Sequence, residues 1–308
     1  MLAAGRGRRI ESVAGAEPKP LLPILDRPLL AWQLEALRAS GVREVVLVVG
    51  HRRERIAEFV GDGRRFGLAA RYAEQPEPLG IAHALTCAEA HVDRPFVLLL
   101  GDVFFDATDL TRLVGALGEG LDGVLAVGTR AGARELSSNY RVELGPDGRV
   151  ARVVEKPSDG RPGLKGVGLY VFRPGMLAAA RAAPASALRG ERELTDAIQL
   201  FVDGGARVGA LALAGPDFNL SEPADLLAAN LHALGRAGLE RWVAPSAEVE
   251  RGASLARAVV LAGARVRAGA RLERALVLAG EEVGPGDYRE VVFAGGAALP
   301  AGAALGRR

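Results

Sequence analysis

The chain has 308 residues, 49% of them hydrophobic and 25% charged, which excludes the disordered, collagen-like and other fibrous classes and leaves room for a sizeable core. Its 39 basic and 37 acidic residues leave a net charge of +2, without the footprint of a nucleic-acid or membrane-surface binder. A single cysteine, Cys87, rules out an intramolecular disulfide framework and suits a reducing, cytoplasmic compartment, and no apolar run approaches the ~18 residues of a spanning helix.

Leu2, Ala3 and Ala4 read as the end of a first strand entering the loop Gly5-Arg6-Gly7-Arg8-Arg9. Met1 leaves almost no strand before them, and so short a central strand is unusual. The native start is therefore expected a few codons upstream, or the chain is trimmed, which an intact mass of the native protein tests. Pro28 suits a first helical turn; Leu30, Leu34 and Leu37 follow at helical spacing until Ser40 and Gly41. Glu44 to Val49 (EVVLVV) reads as a buried strand. Further strands are expected at Ala69 to Tyr72, Phe96 to Leu100 and Gly123 to Val127, with helices near Arg53 to Val60, Ile81 to Ala90 and Leu110 to Leu117. This alternation implies βα units around a mainly parallel sheet, a Rossmann-like doubly wound α/β fold. From about Asn139 the pieces RVEL, RVARVVE and VGLYVF are extended, with a turn at Pro146-Asp147-Gly148. A helix from Leu194 to Val202, a strand from Val208 to Leu213 and a helix from Pro223 to Leu234 complete the catalytic domain, expected over 1–238.

Beyond Leu239 the texture becomes repetitive. Val243, Val249 and Leu255 stand six apart, as do Val266 and Leu272, while Leu255 to Val266 and Leu272 to Val283 each span eleven. One inward aliphatic every six residues is the hexapeptide signature of a short parallel β-helix, expected over 239–308.

The loop after the first strand carries Gly5 and Gly7, whose missing Cβ atoms let backbone N–H groups approach an anion. It lacks the third glycine of a dinucleotide fingerprint and the ending of a P-loop. Arg8 and Arg9 follow at once, and Lys19 lies ten residues beyond Arg9 in an extended PKPLLP segment. These cations and glycines at the carboxyl end of a first strand point to a polyphosphate site. Of the 39 basic residues only Lys19, Lys156 and Lys165 are lysine, so positions that keep an ammonium invite a functional reading. Gly101-Asp102 puts a carboxylate at the end of the strand FVLLL, at the edge where open α/β folds bind ligands.

The run LAAGRGRR followed by PKPLLPILDRPLL resembles the sugar-phosphate nucleotidylyltransferases, and EQPEPLGIAHAL, LLLGDVFF, VEKP, VGLYVF, GERELTD and NLSEPADLL continue the likeness in that family's order. The resemblance, which extends to glucose-1-phosphate thymidylyltransferases of the long form, implies the nucleotide-diphospho-sugar transferase fold followed by a left-handed β-helix. It implies that Leu2, Ala3, Ala4, Gly5, Gly7, Gln75 and Gly80 bind the nucleotide, with Gln75 pairing to the donor and acceptor of a pyrimidine edge. Glu155, Lys156, Gly168 and Tyr140 would bind the sugar phosphate. Arg9, Lys19, Asp102 and Lys156 would be catalytic, and Asp102 with Asn219 would hold Mg²⁺. Asp106 is a spare ligand or a helix cap, His83 packs or acts at one remove, and Thr195 either faces the sugar or begins a helix.

Three departures stand out: Arg8 for the usual Thr, Ile81 for Thr or Leu, and Arg141 where many members have Gly. An arginine there is expected to narrow the sugar pocket or reach for an extra negative charge. The expected reaction is attack of a sugar 1-phosphate, glucose 1-phosphate first, on the α-phosphorus of a nucleoside triphosphate, dTTP first. The alternatives are a UTP-dependent uridylyltransferase, a GTP-dependent mannose-1-phosphate guanylyltransferase, and a non-catalytic regulatory or assembly subunit. A homo-oligomer joined through the β-helix is expected, with neither nucleic acid nor membrane as partner.

Overall fold

The computed structural model describes residues 1–5, 7–15, 17–118, 120–186 and 190–302; Arg6 and the side chain of Arg8 lie outside the description. The chain forms two compact units, Met1–Gly5 with Trp32–Asp217 and Arg6–Ala31 with Phe218–Arg308.

In the first unit, β1 (Leu2–Ala3), β2 (Glu44–Val49) and β3 (Ala69–Glu74) run parallel in that order. Their crossovers carry α1 (Leu29–Ala39) and α2 (Arg53–Val60), and α3 (Ile81–Cys87) follows β3. β2 forms where the β-branched run EVVLVV buries Val45, Leu47, Val48 and Val49. After β4 (Phe96–Leu99), the helix α4 (Ala107–Ala116) starts three residues earlier than expected. Asp106 is its cap, its side chain accepting from the Thr108 N–H at 3.2 Å.

The expectation of a mainly parallel sheet needs correcting in the second half. There β5 (Gly123–Ala131), β6 (Tyr140–Leu144), β7 (Val150–Glu155), β8 (Gly163–Phe172) and β9 (Val208–Ala212) lie in the order β7-β6-β8-β5-β9. β8 runs antiparallel to β4, β5 and β6, and β9 parallel to β5. The link between β6 and β7 is too short for a crossover helix, so that pair reverses, and β7 and β8 both run antiparallel to β6 between them. β8 is buried along most of its length, with Tyr170 and Phe172 in the core against α5 (Gly175–Ala182) and α6 (Leu194–Asp203). The sequence reading placed no helix at α5, whose alanine-rich run carries no capping side chain to mark its start.

In the second unit, α7 (Pro223–Arg236) opens with a capping box between Glu222 and Asp225. Asn230 in α7 is wholly buried: its Oδ1 accepts from Leu25 N at 2.7 Å, and its Nδ2 donates to Pro23 O and Leu226 O, each at 2.9 Å. One amide thus satisfies the backbone of the turn between Pro23 and Pro28, where Leu25 has a φ of 55°. Asn230→Leu leaves these groups unpaired in the core, and we expect a loss of about 2–4 kcal/mol, several degrees in melting temperature. Thermal denaturation of both proteins reads this; an unchanged midpoint refutes it.

The C-terminal strands are parallel and stack in coils. Trp242 pairs with Val259, Val259 with Leu276 and Leu276 with Val292; on another side Val249, Val266 and Val283 are successive partners. The offsets of seventeen, seventeen and sixteen residues fall short of three sixes because one side of each coil is shorter. That side holds the left-handed residues Arg257, Arg274 and Glu290, with φ of 49°, 53° and 50°. Val266, Leu272 and Val283 are buried as their spacing predicts, whereas Val249 at the end of the stack is 37% exposed. Ala297–Pro300 then turns back antiparallel on Val291–Ala294 through Gly295-Gly296, both at positive φ, where the Glu281 carboxylate accepts both glycine N–H groups at 2.7 and 2.9 Å.

Candidate active site

The carboxyl ends of the parallel strands gather several of the expected residues in the first unit. The Ala4 and Gln75 backbones meet across Gly50, where a Cβ would press on Ala4 O and Gln75 O at 3.2 Å. Gly101 N donates to Leu2 O at 2.8 Å, so the turn carrying Asp102 is tied to β1. Gly80 caps α3 with a φ of 101°, and a Cβ there would run into the backbone of Arg192. Arg192 holds this loop, donating to Leu79 O at 2.7 Å and accepting from Ala82 N at 3.0 Å. The edge is therefore built of backbone in close approach, at the carboxyl ends of the strands where open α/β folds bind ligands.

Two residues brace the Asp102 turn from beneath. Gln33, only 1% exposed, donates from Nε2 to Leu100 O at 3.0 Å and Val103 O at 2.8 Å, spanning the turn. Its Oε1 is buried without a partner among the described residues, a cost accepted where the turn is anchored. Gly168 accepts from Leu100 N at 2.9 Å, and a Cβ on it would lie 2.9 Å from the Leu100 and Val103 side chains. Gly168 thus shapes the Asp102 turn.

At the end of β7, Glu155 accepts from the Thr195 hydroxyl at 3.2 Å, and Lys156 Nζ stands 3.6 Å from Glu155. Thr195 therefore braces Glu155, and the N-cap of α6 is Glu193. Lys156 adopts a φ of 40°, with its N–H donating to Asn139 O at 2.8 Å. A non-glycine residue held left-handed at a strand end is the kind of strain found at ligand sites. Tyr140 is turned into the core: its ring fills the space over Gly166 and its hydroxyl donates to Val167 O at 3.3 Å. Burial holds its phenol well above the ordinary pKa, so it stays neutral.

Arg141 departs from the expectation that it narrows the sugar pocket or seeks an extra anion. Its side chain is 3% exposed and forks onto Asp159 with two bonds of 2.7 Å, while Nε and Nη2 reach Glu143 at 3.0 and 2.8 Å. Its donors are committed to Glu143 on β6 and to the link between β7 and β8. Hydrogen bonding from Arg141 holds the Asp159 carboxyl well below the usual range. That contribution to stability is fully present above about pH 4, the carboxyl's unfolded value, and is lost as pH falls towards its depressed folded value. Melting temperatures should therefore place wild type above Arg141→Leu at pH 7, with the gap narrowing below pH 4; a gap that widens on acidification excludes this account.

Lys165, which the sequence left without a role, is buried between Asp217 and Glu135 at 2.8 and 3.1 Å. Burial opposes its charge, but the two carboxylates outweigh that and hold its pKa above the ordinary value.

In the second unit the Lys19 stem lies against Gly7, where a Cβ would stand 2.9 Å from Lys19 Cγ at a φ of 64°. Arg9 Nη2 reaches Ser221 Oγ at 3.5 Å, and that hydroxyl donates to Asn219 Oδ1 at 3.3 Å. Asp225 accepts from the Ser221 and Glu222 N–H groups at 3.0 and 2.9 Å, fixing the segment that presents Asn219 at the surface. Gln33, Gly50 and Ser221 had no signal in the sequence.

The Asp102 carboxylate and the Asn219 amide are hard oxygen donors, suited to Mg²⁺ rather than to a soft transition metal. The described residues contain no group of three or more His, Cys, Asp or Glu able to hold a metal. Asp102 in the first unit and Asn219 in the second each offer the kind of oxygen that Mg²⁺ takes alongside water and phosphate. A cavity of about 650 Å³ lies at the opposite strand edge, among Met1, Leu37, Val46, His91, Phe96 and Val171. Of the expected site residues only Leu2 lines it, so the chemistry is sought at the carboxyl edge.

Residues 1–233 match the family model described as nucleotidyl transferase. A glucose-1-phosphate thymidylyltransferase of Streptomyces antibioticus is 36% identical over 75% of this chain and 64% of its own length. A UTP–glucose-1-phosphate uridylyltransferase of Haloferax volcanii is 32% identical over 73% of this chain and 91% of its own. The chain thus spans 64% of the length of the first of these relatives. Among solved structures, a UDP-glucose pyrophosphorylase complexed with UDP-glucose superposes with a TM-score of 0.66 at 20% identity, covering 76% of this chain and 97% of that one. A putative glucose-1-phosphate thymidylyltransferase from Bacillus anthracis gives 0.68 at 22% identity, covering 75% and 93%. These likenesses show the α/β fold with mixed sheets. No helix among the described residues is long and apolar enough to cross a membrane.

Proposed function

The chain belongs to the nucleotidyl transferase family, and from that premise we propose that it transfers a nucleotidyl group from a nucleoside triphosphate to a sugar 1-phosphate, releasing pyrophosphate. The observation that carries this reading is the strand edge where the Ala4 and Gln75 backbones meet and the braced Asp102 turn is tied to Leu2. The sugar phosphate is already a nucleophile at neutral pH, so no general base is required and catalysis is positioning plus charge stabilisation.

In this reading the N–H groups around Gly5 and Gly7 receive the triphosphate, Arg9 offsets charge on the leaving pyrophosphate and Lys19 spans the α-phosphoryl group. Lys156 holds the incoming sugar phosphate and Glu155 the sugar hydroxyls. Asp102 and Asn219 are the proposed Mg²⁺ ligands. The ion, when bound, neutralises phosphate charge.

dTTP with glucose 1-phosphate is the first substrate pair; the uridylyltransferase relative makes UTP the second. A cytoplasmic location, a left-handed β-helix for the C-terminal coils and a homo-oligomer built through them belong to the same proposal. Pyrophosphate release across a matrix of triphosphates and sugar 1-phosphates tests the reaction. Turnover in one row supports it, and an empty matrix with full Mg²⁺ overturns it. Absence of nucleotide binding by calorimetry then favours a non-catalytic subunit.

A further inference from the structure

Of the three lysines in a chain that otherwise relies on arginine, Lys165 is the one to which neither the sequence nor the proposed chemistry gives a task. Its surroundings are nevertheless shaped around it. Lys165 lies on β8 with its side chain 11% exposed, and its Nζ reaches Asp217 Oδ1 at 2.8 Å and Glu135 Oε1 at 3.1 Å. A Cβ at Gly128, on the neighbouring β5, would stand 3.3 Å from Lys165 Cε and 3.5 Å from Asp217 Oδ1, so the slot suits a compact ammonium rather than a broad guanidinium. Asp217 alone balances the lysine charge. Glu135 is an additional partner, and it belongs to the segment between β5 and β6.

That segment leads to Lys156. Glu135 stands in the four-residue helix Ala133–Leu136, too short to be held by helix formation alone. The Glu135 carbonyl accepts from Asn139 Nδ2 at 2.8 Å, and the Asn139 carbonyl accepts from the Lys156 N–H at 2.8 Å. Lys156 has its φ of 40° immediately before Pro157, although a residue before proline is pushed towards extended backbone. Such a conformation persists only where surrounding contacts impose it. The Asn139 carbonyl is one such contact, and it is anchored through Glu135 to a buried charge on β8, in the middle of the sheet.

We propose that Lys165 and Glu135 are positioning residues for the sugar 1-phosphate: their ion pair holds the β5–β6 segment to β8, and that segment holds the Lys156 backbone so that its ammonium meets the phosphate. This rests on the nucleotidyl-transfer reading, in which Lys156 receives that phosphate. The ties lead to Lys156, so binding of the sugar phosphate should respond to their loss and binding of the triphosphate should not.

Initial rates on the full chain test this, each substrate being varied at saturating concentrations of the other, in Glu135→Ala and Glu135→Gln. Both variants leave the buried pair of Lys165 and Asp217 in place, and far-ultraviolet circular dichroism verifies that they are folded. Glu135→Ala is expected to raise KM for the sugar 1-phosphate about fivefold, the scale of a partly exposed ion pair, with a smaller change in kcat and KM for the triphosphate within about twofold of wild type. The sign separates position from charge, because deleting a carboxylate weakens repulsion of an anionic substrate and by itself would lower KM. Glu135→Gln makes the same charge change but keeps an oxygen that accepts from Lys165, so its KM should stay at or below the wild-type value. Amide hydrogen exchange at Lys156, read by mass spectrometry, should quicken in Glu135→Ala and not in Glu135→Gln. Where Lys165→Met is folded, KM for the sugar phosphate should rise at least as far, and adding Glu135→Ala to it should raise KM no further, since the two act through one contact; the Glu135 variants decide the matter without it. A KM for the sugar phosphate that is unchanged or lowered in Glu135→Ala, an equal rise in Glu135→Gln, or a rise shared by the triphosphate overturns the proposal while nucleotidyl transfer stands. No turnover of the wild type with any substrate pair overturns both.

Discussion

Asp102→Ala is expected to lower turnover by on the order of 10² or more, the usual cost of losing one charge contact to a transition state, with little change in melting temperature. The separation of these effects follows from how the turn is held. The backbone ties of the Leu100–Val103 turn described above run through the Leu2 and Gly168 carbonyls and the Gln33 amide. Alanine keeps them, so what disappears is the partly exposed carboxylate at the strand edge. Gln33→Leu does the reverse, removing the brace and keeping the carboxylate; it should lower turnover less and stability more. Steady-state rates and thermal unfolding of both variants provide the comparison. Near-wild-type turnover in Asp102→Ala sinks the role assigned to it.

The second large effect is expected at Lys156. Lys156→Ala should also lose on the order of 10² in turnover, and Lys156→Gly is the sharper variant. With a φ of 40°, lysine sits where a Cβ is disfavoured, so glycine removes the charge while relieving backbone strain. Turnover should fall as in Lys156→Ala, with no loss of thermal stability. Lys156→Arg is expected to be far from conservative, because a broad planar fork replaces a compact point charge. The same holds for Lys19→Arg, where the stem lies tight against Gly7. Full activity in both arginine variants would reduce the scarcity of lysine to compositional bias.

The alternation of apolar runs and amphipathic stretches was enough to place β2, α2, β3 and α6 nearly to the residue, because each is defined by local periodicity and its own stop signals. What could not be read was anything decided across the sheet. The reversal of β8 depends on which neighbour it finds. The segment Arg6–Ala31 joins the C-terminal unit through contacts two hundred residues apart, such as Asn230 with Pro23 and Leu25. The same limit applies to the site. Gly5, Gln75 and Asp102 stand in motifs where a strand ends, and such positions are visible locally. Gln33 in mid-helix looks like any amphipathic polar residue until Leu100 and Val103 arrive above it. The partners of Arg141 and Lys165 are invisible in the local sequence for one reason: Asp159 and Asp217, which bind them, lie 18 and 52 residues further on.

The reversed last strand, Ala297–Pro300, bears on how the chain avoids sticking to itself. Without it, Val291–Ala294 would present an unpaired edge rich in β-branched and aromatic side chains, a template on which another copy can polymerise. With it in place, the edge on offer is four residues long and ends in proline, a poor seed for fibril growth. A chain cut after Ala294 should therefore reveal itself first as turbidity and thioflavin binding, before any loss of the catalytic unit.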